Sequence, residues 1–106
     1  MILGRVIGTV WATRKDEQTV GMKFLLVREV ELDLTPTASF VVAVDSVGAG
    51  VGEVVLVAQG SSGRQTELTR NKPVDAVVMA IVDRLDVDED EVEEVKRREA
   101  ITSSSE

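Results

Sequence analysis

The sequence predicts a mostly β protein that folds as one small closed barrel, and three of its features indicate this fold class. The length of 106 residues suits a single domain. Valine and glycine recur while aromatic residues make up only 3%, a composition that favours strands. Five or six short apolar runs are separated by turns, and closing such strands into a barrel removes the exposed sheet edges.

The strands follow from the apolar runs in chain order. We expect a first strand over residues 1–13 and a second over residues 20–31. Residues 33–37 are predicted to form a loop, because Pro36 lacks a backbone donor and disfavours helix before it. Residues 39–45 and 52–59 are the two central strands. Together these elements predict an OB-like barrel.

The last third of the chain is predicted to contain a short helical turn, a strand and a helix. Pro73 suits the first position of a helical turn, and the β-branched run after it favours a strand over about residues 79–85. Asp88 followed by Glu91 is typical of a helix N-cap with a reciprocal glutamate. We therefore divide the chain into a barrel domain, residues 1–87, and an acidic C-terminal extension, residues 88–106.

The chain is organised around residues 42–64, where two apolar runs flank a loop that is dense in glycine. Five of the 8 glycines lie in this stretch. Glycine is used where φ is positive or where another backbone comes close, and a hairpin turn needs only one or two such residues. The loop is therefore predicted to pack against a phosphate, its own barrel or a neighbouring copy. Earlier in the chain, Gly4 and Gly8 indicate a bend or a close backbone contact.

Charge excludes several classes of partner. The net charge is −7, and residues 86–106, with nine acidic and three basic side chains, carry −6 of it. Nucleic-acid binding relies on excess Lys and Arg, so no nucleic acid is expected. There is no cysteine to form disulfides or thiolate metal sites. The longest apolar run, residues 76–82, is too short to cross a bilayer, and no membrane partner is expected.

The glycine-dense loop does not match the known phosphate-binding loops. A Walker loop ends in Gly-Lys-Ser/Thr, and a dinucleotide fingerprint has its third glycine at the position that Glu53 occupies here. A carboxylate at that point would repel phosphate. We expect no nucleotide and no other cofactor.

Four carboxylates flank the predicted strands: Asp45, Glu53, Asp75 and Asp83. They could pair as acid and base, but the chain has no histidine, cysteine or tyrosine to complete most catalytic sites. Their spacing also matches no metal-binding loop. The favoured interpretation is that they cap turns or pair with Arg64 and Arg84, so we expect no enzyme activity, no catalytic residue and no metal site.

The three aromatic residues, Trp11, Phe24 and Phe40, are predicted to lie in the core. An OB-type nucleic-acid binder would instead expose aromatics over a basic groove. The scarcity of aromatics and the acidic balance disfavour that alternative.

Several motifs, taken together and in order, resemble a known family. They are GRVIGTV (residues 4–10), ATRK (12–15), GMKFLLV (21–27), AVDSVGAGVGE (43–53), GSSGR (60–64), PVDA (73–76) and IVD (81–83). The sequence is similar to the bacterial microcompartment vertex proteins, the EutN/CcmL family. It departs from the family pattern at Gly63, where alanine is usual, and in its longer, more acidic tail.

The resemblance implies a small β-barrel that assembles as a homopentamer and caps the vertices of a polyhedral shell in the bacterial cytoplasm. Hexagonal shell proteins would be its partners, because flat hexagonal layers need pentagonal tiles to close. A cyclic pentamer uses a heterologous interface, in which one patch meets a different patch on the next copy.

Glycine-rich segments crowded towards a fivefold axis would explain the glycine density, so these segments supply the candidate interface or axial residues. The candidates are Asp45, Gly48, Gly50, Gly52, Glu53, Gly60, Ser61, Ser62 and Arg64. The alternative is an OB-like domain that binds a small ligand, or a small carboxylate-dependent enzyme, neither of which needs a ring.

Overall fold

The computed structural model describes residues 1–13, 22–60 and 76–104, and it shows a closed five-stranded barrel followed by one helix. The predicted fold class and C-terminal helix are confirmed. The elements are β1 (Ile2–Ala12), β2 (Met22–Val30), β3 (Pro36–Asp45), β4 (Val54–Gln59), β5 (Ala76–Ile81) and α1 (Glu89–Ser104).

The strands close in the order β1-β2-β3-β5-β4, and the pairing of β4 with β1 completes the barrel. Every strand pair is antiparallel except β3 with β5, which is parallel. The parallel pair is short, joining Val44 to Val77 and Asp45 to Val78. It places the end of β3, where the glycine-dense loop begins, beside the first residues of β5.

The barrel is filled almost entirely by valine, leucine and alanine. These residues are small enough to fill the narrow interior of five strands. The interior cluster contains Val6, Leu25, Val27, Ala43, Ala49, Val55, Val57, Ala76 and Val78. A second, smaller cluster contains Met22, Val44, Ala58 and Val77, with Phe24 packed against it.

β1 and β2 lie close together at Gly4, where glycine is required. A Cβ atom added to Gly4 would lie 2.3 Å from Cγ1 of Val27 and 2.9 Å from the carbonyl oxygen of Arg28. The same atom added to Gly8 would meet nothing closer than 3.7 Å. Of the bend or close contact predicted at these two glycines, Gly4 makes the close contact, and the strand register shifts between Val6 and Gly8.

The bend in β1 lies at Ile7, next to Gly8. Val6 pairs with Val27 and Gly8 pairs with Leu26, so Ile7 has no partner of its own across the β1–β2 ladder. A residue skipped in this way is a β-bulge, which bends the strand and re-aims its side chains. The bulge leaves Ile7 exposed.

Two predicted boundaries were wrong. Pro36 opens β3 instead of lying in a loop, because the first residue of a strand needs no N–H for the ladder. The last strand begins at Ala76 and ends at Ile81, not over residues 79–85, and residues 76–78 are not helical. The pairing of Ala76 and Val77 with β4 determines where this strand begins, and the local strand propensity does not. Pro73 itself lies outside the described residues.

Two of the three aromatic residues predicted for the core are on the surface of the subunit. Trp11 is 71% exposed and Phe40 is 66% exposed, whereas Phe24 is partly buried against the second cluster. The strand pairing explains the exposure of Phe40, because it lies opposite Arg28 on the outer face of the barrel. Large exposed aromatic side chains indicate an interaction surface.

Helix α1 begins where the sequence predicts. Oδ1 of Asp88 accepts hydrogen bonds from the backbone N–H groups of Asp90 (2.9 Å) and Glu91 (3.3 Å). These contacts satisfy two of the donors that a helix start leaves unpaired. The N-cap role of Asp88 is confirmed. No described helix is long and apolar enough to cross a membrane.

Candidate functional site: the glycine loop and its flanking apolar patches

The glycine loop, residues 46–53, is fixed at its start by the buried carboxylate of Asp45, the residue that precedes it. Oδ1 of Asp45 accepts hydrogen bonds from the backbone N–H groups of Val47 (3.2 Å), Gly48 (2.9 Å) and Ala49 (3.2 Å). The other carboxylate oxygen lies 3.0 Å from Nζ of Lys23, and the Asp45 side chain is only 3% exposed. Asp45 therefore caps the turn, as the favoured interpretation predicted.

These contacts also set the protonation state of Asp45. Partial burial acts to raise its pKa, but the hydrogen bonds from Lys23 and from the three backbone N–H groups outweigh burial and lower it below the ordinary value of 3.8. The group is thus an anion at neutral pH. A permanently ionised, fully hydrogen-bonded carboxylate suits structural capping better than proton transfer.

The far end of the loop is closed by Glu53. Its Oε1 accepts a 2.6 Å hydrogen bond from the N–H of Gly50, and its own N–H donates to the Gly50 carbonyl at 3.2 Å. The loop is also tied to β1, since the N–H of Gly52 donates to the Val6 carbonyl (2.8 Å) and the Val6 N–H donates to the Glu53 carbonyl (2.9 Å). Glu53, like Asp45, therefore stabilises the conformation of the loop.

Two of the three loop glycines have the left-handed backbone that favours glycine. Gly48 has φ of 74° and Gly52 has φ of 96°, while Gly50 does not have a positive φ. A positive φ therefore accounts for glycine at positions 48 and 52 but not at position 50. Between the glycines, Ala49 is buried in the barrel core and Val51 is 66% exposed at the tip. The loop is anchored from inside and presents an apolar side chain outward.

The second glycine-rich segment is described only at its start. Gly60 has φ of 65°, again a left-handed backbone. The other candidates in this segment, Ser61, Ser62 and Arg64, lie outside the described residues, as does Asp75.

A metal site is not assembled in the described part of the chain. No group of three or more metal-ligating side chains occurs among residues 1–13, 22–60 and 76–104. Asp83 is exposed. Arg84 pairs with Asp86, with 2.9 Å between Nε and Oδ2; Asp86 is not one of the four carboxylates that were expected to cap turns or pair with Arg64 and Arg84.

Two groups of exposed apolar side chains lie on the loop and on the strands that precede it. The first, which we call the loop patch, contains the tip residues Val47 and Val51 together with Ile7 at the β1 bulge. Ile7 belongs with them because the backbone of its neighbour Val6 is hydrogen-bonded to Gly52 and Glu53.

The second patch, the strand patch, runs across the outer face of β1, β2 and β3. The ladder aligns Val10 with Phe24, Leu26 with Val42 and Arg28 with Phe40, so their side chains share one face. Val10, Val42 and Phe40 are exposed, and Leu26 is half-buried. Sequence reasoning missed this patch. The signal was residues 40–44, FVVAV, in which both faces of the strand are apolar, a pattern typical of a strand covered on both sides.

The C-terminal helix contacts the turn between β2 and β3. Val92 is only 6% exposed, although Val95 on the same face remains exposed. Nζ of Lys96 pairs with Asp33 and lies 3.2 Å from Oγ1 of Thr35 and 3.6 Å from Oε2 of Glu31. The hydrogen bond from Lys96, together with those from Thr35, lowers the pKa of Asp33 to about 2. The pairing of Lys96 was not foreseen in the sequence.

Comparisons with known proteins agree with the motifs. The family described as "Ethanolamine utilisation protein EutN/carboxysome" matches residues 1–83. The chain is 44% identical over 88 residues to the carboxysome shell vertex protein CcmL of Gloeobacter violaceus, covering 83% of this chain and 88% of that protein. It is 49% identical over 89 residues to the microcompartment shell vertex protein PduN of Salmonella typhimurium, covering 80% of this chain and 98% of that protein.

A solved structure gives the same assignment. The pentameric microcompartment shell protein GrpN of Rhodospirillum rubrum superposes with a TM-score of 0.72 at 45% identity, covering 83% of this chain and all of that one. Helix α1 lies beyond residue 83, where the family match ends. The motifs, the closed barrel and these similarities together show that the chain belongs to the EutN/CcmL family.

Proposed function

We propose that this chain forms a homopentamer that caps the vertices of a bacterial microcompartment shell, where it has a structural and not a catalytic role. The observation that carries the proposal is the match over the whole barrel to shell vertex proteins, one of them described as pentameric. The implied location is a shell in the bacterial cytoplasm, and the partners are copies of itself and hexagonal shell proteins.

The surface of the single subunit supports a ring. A cyclic pentamer needs two different complementary patches on each subunit, so that one copy binds the next head to tail. The loop patch is centred on the glycine loop and the strand patch on β2 and β3, and both contain exposed apolar side chains. We propose that the loop patch of one subunit packs on the strand patch of its neighbour, with Val51 facing Phe40.

The hydrogen bonds of the glycine loop suit this role. Asp45, Glu53 and the positive-φ glycines Gly48 and Gly52 fix the loop without any partner. A loop whose shape is already fixed loses little conformational freedom when it binds. Gly50 would keep the tip slim, because any side chain there would project from an exposed position.

The segment that begins at Gly60 is proposed to line the subunit interface or the axial opening of the ring. Ser61, Ser62 and Arg64 are the residues assigned to it. This part of the proposal rests on the family resemblance and on the left-handed backbone of Gly60.

Mixing two interface variants tests the head-to-tail arrangement. Phe40→Asp damages the strand patch and Val51→Asp damages the loop patch, so neither variant should form a ring alone. Mixed together, the intact loop patch of the first fits the intact strand patch of the second, and native mass spectrometry should show heterodimers that do not grow further. Ser39→Asp, which adds the same charge beside Phe40 on an exposed residue, is the control and should retain the ring. Rings from either interface variant alone would refute the proposed patches.

Electron microscopy tests the vertex role itself. Hexagonal shell proteins expressed with this chain should form closed polyhedral particles, and without it they should form open sheets or tubes. Closed particles of the same number and shape in both samples would contradict the vertex function.

A further inference from the structure

We propose that a groove between helix α1 and the β2–β3 turn binds a basic, amphipathic segment of a partner protein. We call it the tail groove; its volume is about 430 Å³. The inference goes beyond the vertex function and does not depend on ring formation, because all the lining residues belong to one subunit.

The floor of the tail groove is apolar and largely exposed to solvent. It is formed by Leu32 and Leu34 of the turn, by Leu85 and Val87 in the segment between β5 and α1, and by Val92 of helix α1. Leu32, Leu85 and Val87 are exposed, and only Val92 is buried. A smaller recess of about 160 Å³ shares Leu34 and Leu85 and adds Val54 and Val82 of the barrel, with Asp83 and Arg84 beside them. Contiguous exposed apolar surface of this kind is typical of an interaction site.

The rim of the tail groove is acidic. Asp33, Glu89 and Glu93 line it, and no Lys or Arg of the described residues does. Asp33 is already paired with Lys96, whereas no ion pair within the described part of the chain engages Glu89 or Glu93. Two carboxylates without a cation, beside an apolar floor, favour a partner that supplies Lys or Arg.

The charge of the groove selects among possible occupants. A second copy of this chain is a poor fit because the chain carries a net charge of −7, most of it in the extension that forms the groove. Nucleic acid is excluded for the same reason. A segment with aliphatic side chains on one face and Lys or Arg beside them satisfies both the floor and the rim, as in helix-in-groove recognition.

Most of the tail groove is formed by residues that follow the family match. Five of its eight lining residues, at positions 85, 87, 89, 92 and 93, lie beyond the residues that the family match covers, which end at residue 83. Glu89, Val92 and Glu93 fall on one helix face by their spacing of three and four residues. Val92 is buried and lines a recess together with Leu3 and Val30, so this face of the helix lies beside the barrel before any partner binds.

Isothermal titration calorimetry with designed peptides tests the proposal on the full-length protein. The probe is a synthetic peptide of about 18 residues, long enough to form a helix, with Leu on one face and Lys on the other. A scrambled peptide of the same composition tests the contribution of the apolar face, and a peptide with Glu in place of Lys tests the contribution of charge. We expect binding of the probe, weaker binding of the scrambled peptide, and no binding of the acidic one.

A pair of matched variants locates the site. The double substitution Glu89→Gln with Glu93→Gln neutralises the rim, and Asp90→Asn with Glu91→Gln removes the same charge from neighbouring residues outside the groove. The rim variant should bind the probe about threefold to tenfold more weakly, as expected for the loss of two exposed ion pairs, while the matched variant stays close to wild type. Circular dichroism checks that the helix persists in both.

Three results would overturn the proposal. The first is no binding of the probe at concentrations up to about 1 mM. The second is equal affinity for the probe and the scrambled peptide, which would show a purely electrostatic contact. The third is equal loss of affinity in the rim and matched variants, which would place the contact elsewhere on the acidic extension.

Discussion

Replacing Gly4 by alanine tests the packing of the barrel wall. The added Cβ would lie 2.3 Å from the buried Cγ1 of Val27 and 2.9 Å from the carbonyl oxygen of Arg28. Neither atom can move easily, because Val27 is fully buried and the oxygen belongs to the backbone. Overpacking of this kind costs about 1–3 kcal/mol, and we expect the upper end of that range here. For a domain of this size the melting temperature would fall by roughly 10–20 °C.

Gly8→Ala on the same strand is the matched control. Its new Cβ would meet no atom closer than 3.7 Å, and the lower entropy of the unfolded chain should leave stability unchanged or raise it by about 0.4–1 kcal/mol. Chemical denaturation followed by circular dichroism, repeated at several protein concentrations, separates this effect from any linkage to assembly. If both variants unfold at the same denaturant midpoint, the close approach of β1 and β2 at Gly4 is wrong.

Three further predictions concern the loop and the tail. Asp45→Asn should lower the free energy of unfolding at neutral pH by about 1–3 kcal/mol. Because the folded-state pKa of Asp45 is lowered, the stabilisation by the carboxylate is present above about pH 4 and is lost as pH falls through the folded-state pKa. Denaturation measured as a function of pH should therefore show less acid sensitivity in the variant than in wild type. Gly50→Val should disrupt the ring and spare the fold, since its Cβ would meet only Oε1 of Glu53, at 3.5 Å; a variant with the native mass of wild type would argue against this. Truncation after Val87 should leave the ring intact but lower the free energy of unfolding by about 1–2 kcal/mol, because the burial of Val92 is lost. If the truncated protein is monomeric at both low and moderate salt, the tail is part of the interface.

Much of the fold could be predicted because, in most elements, the local residue preferences agree with the strand pairing. Val- and Gly-rich runs gave the strands, and Asp88 gave the start of the helix. The errors arose where pairing with distant residues decides. Pro36 joins β3 through its pairing with Val30, and Ala76 joins β5 through its pairing with Gln59. Neither partner is visible in the local sequence.

The candidate site was predictable in its composition but not in its surface. The capping role of Asp45 could be predicted because the sequence has no histidine, cysteine or tyrosine to complete most catalytic sites. In the structure, the Asp45 carboxylate accepts hydrogen bonds from three backbone N–H groups. The exposure of Trp11 and Phe40 was not predictable, since a lone aromatic in an apolar run fits a core and an interface equally well. The docking of the tail through Lys96 depends on a contact 63 residues away along the chain, with Asp33.

The most direct test of the central claim is the subunit count of the full-length protein by native mass spectrometry. A vertex protein should give a single dominant species with five times the 11.5 kDa chain mass, stable on dilution through the micromolar range. Monomers or dimers alone, at every concentration in that range, would contradict the pentameric vertex function.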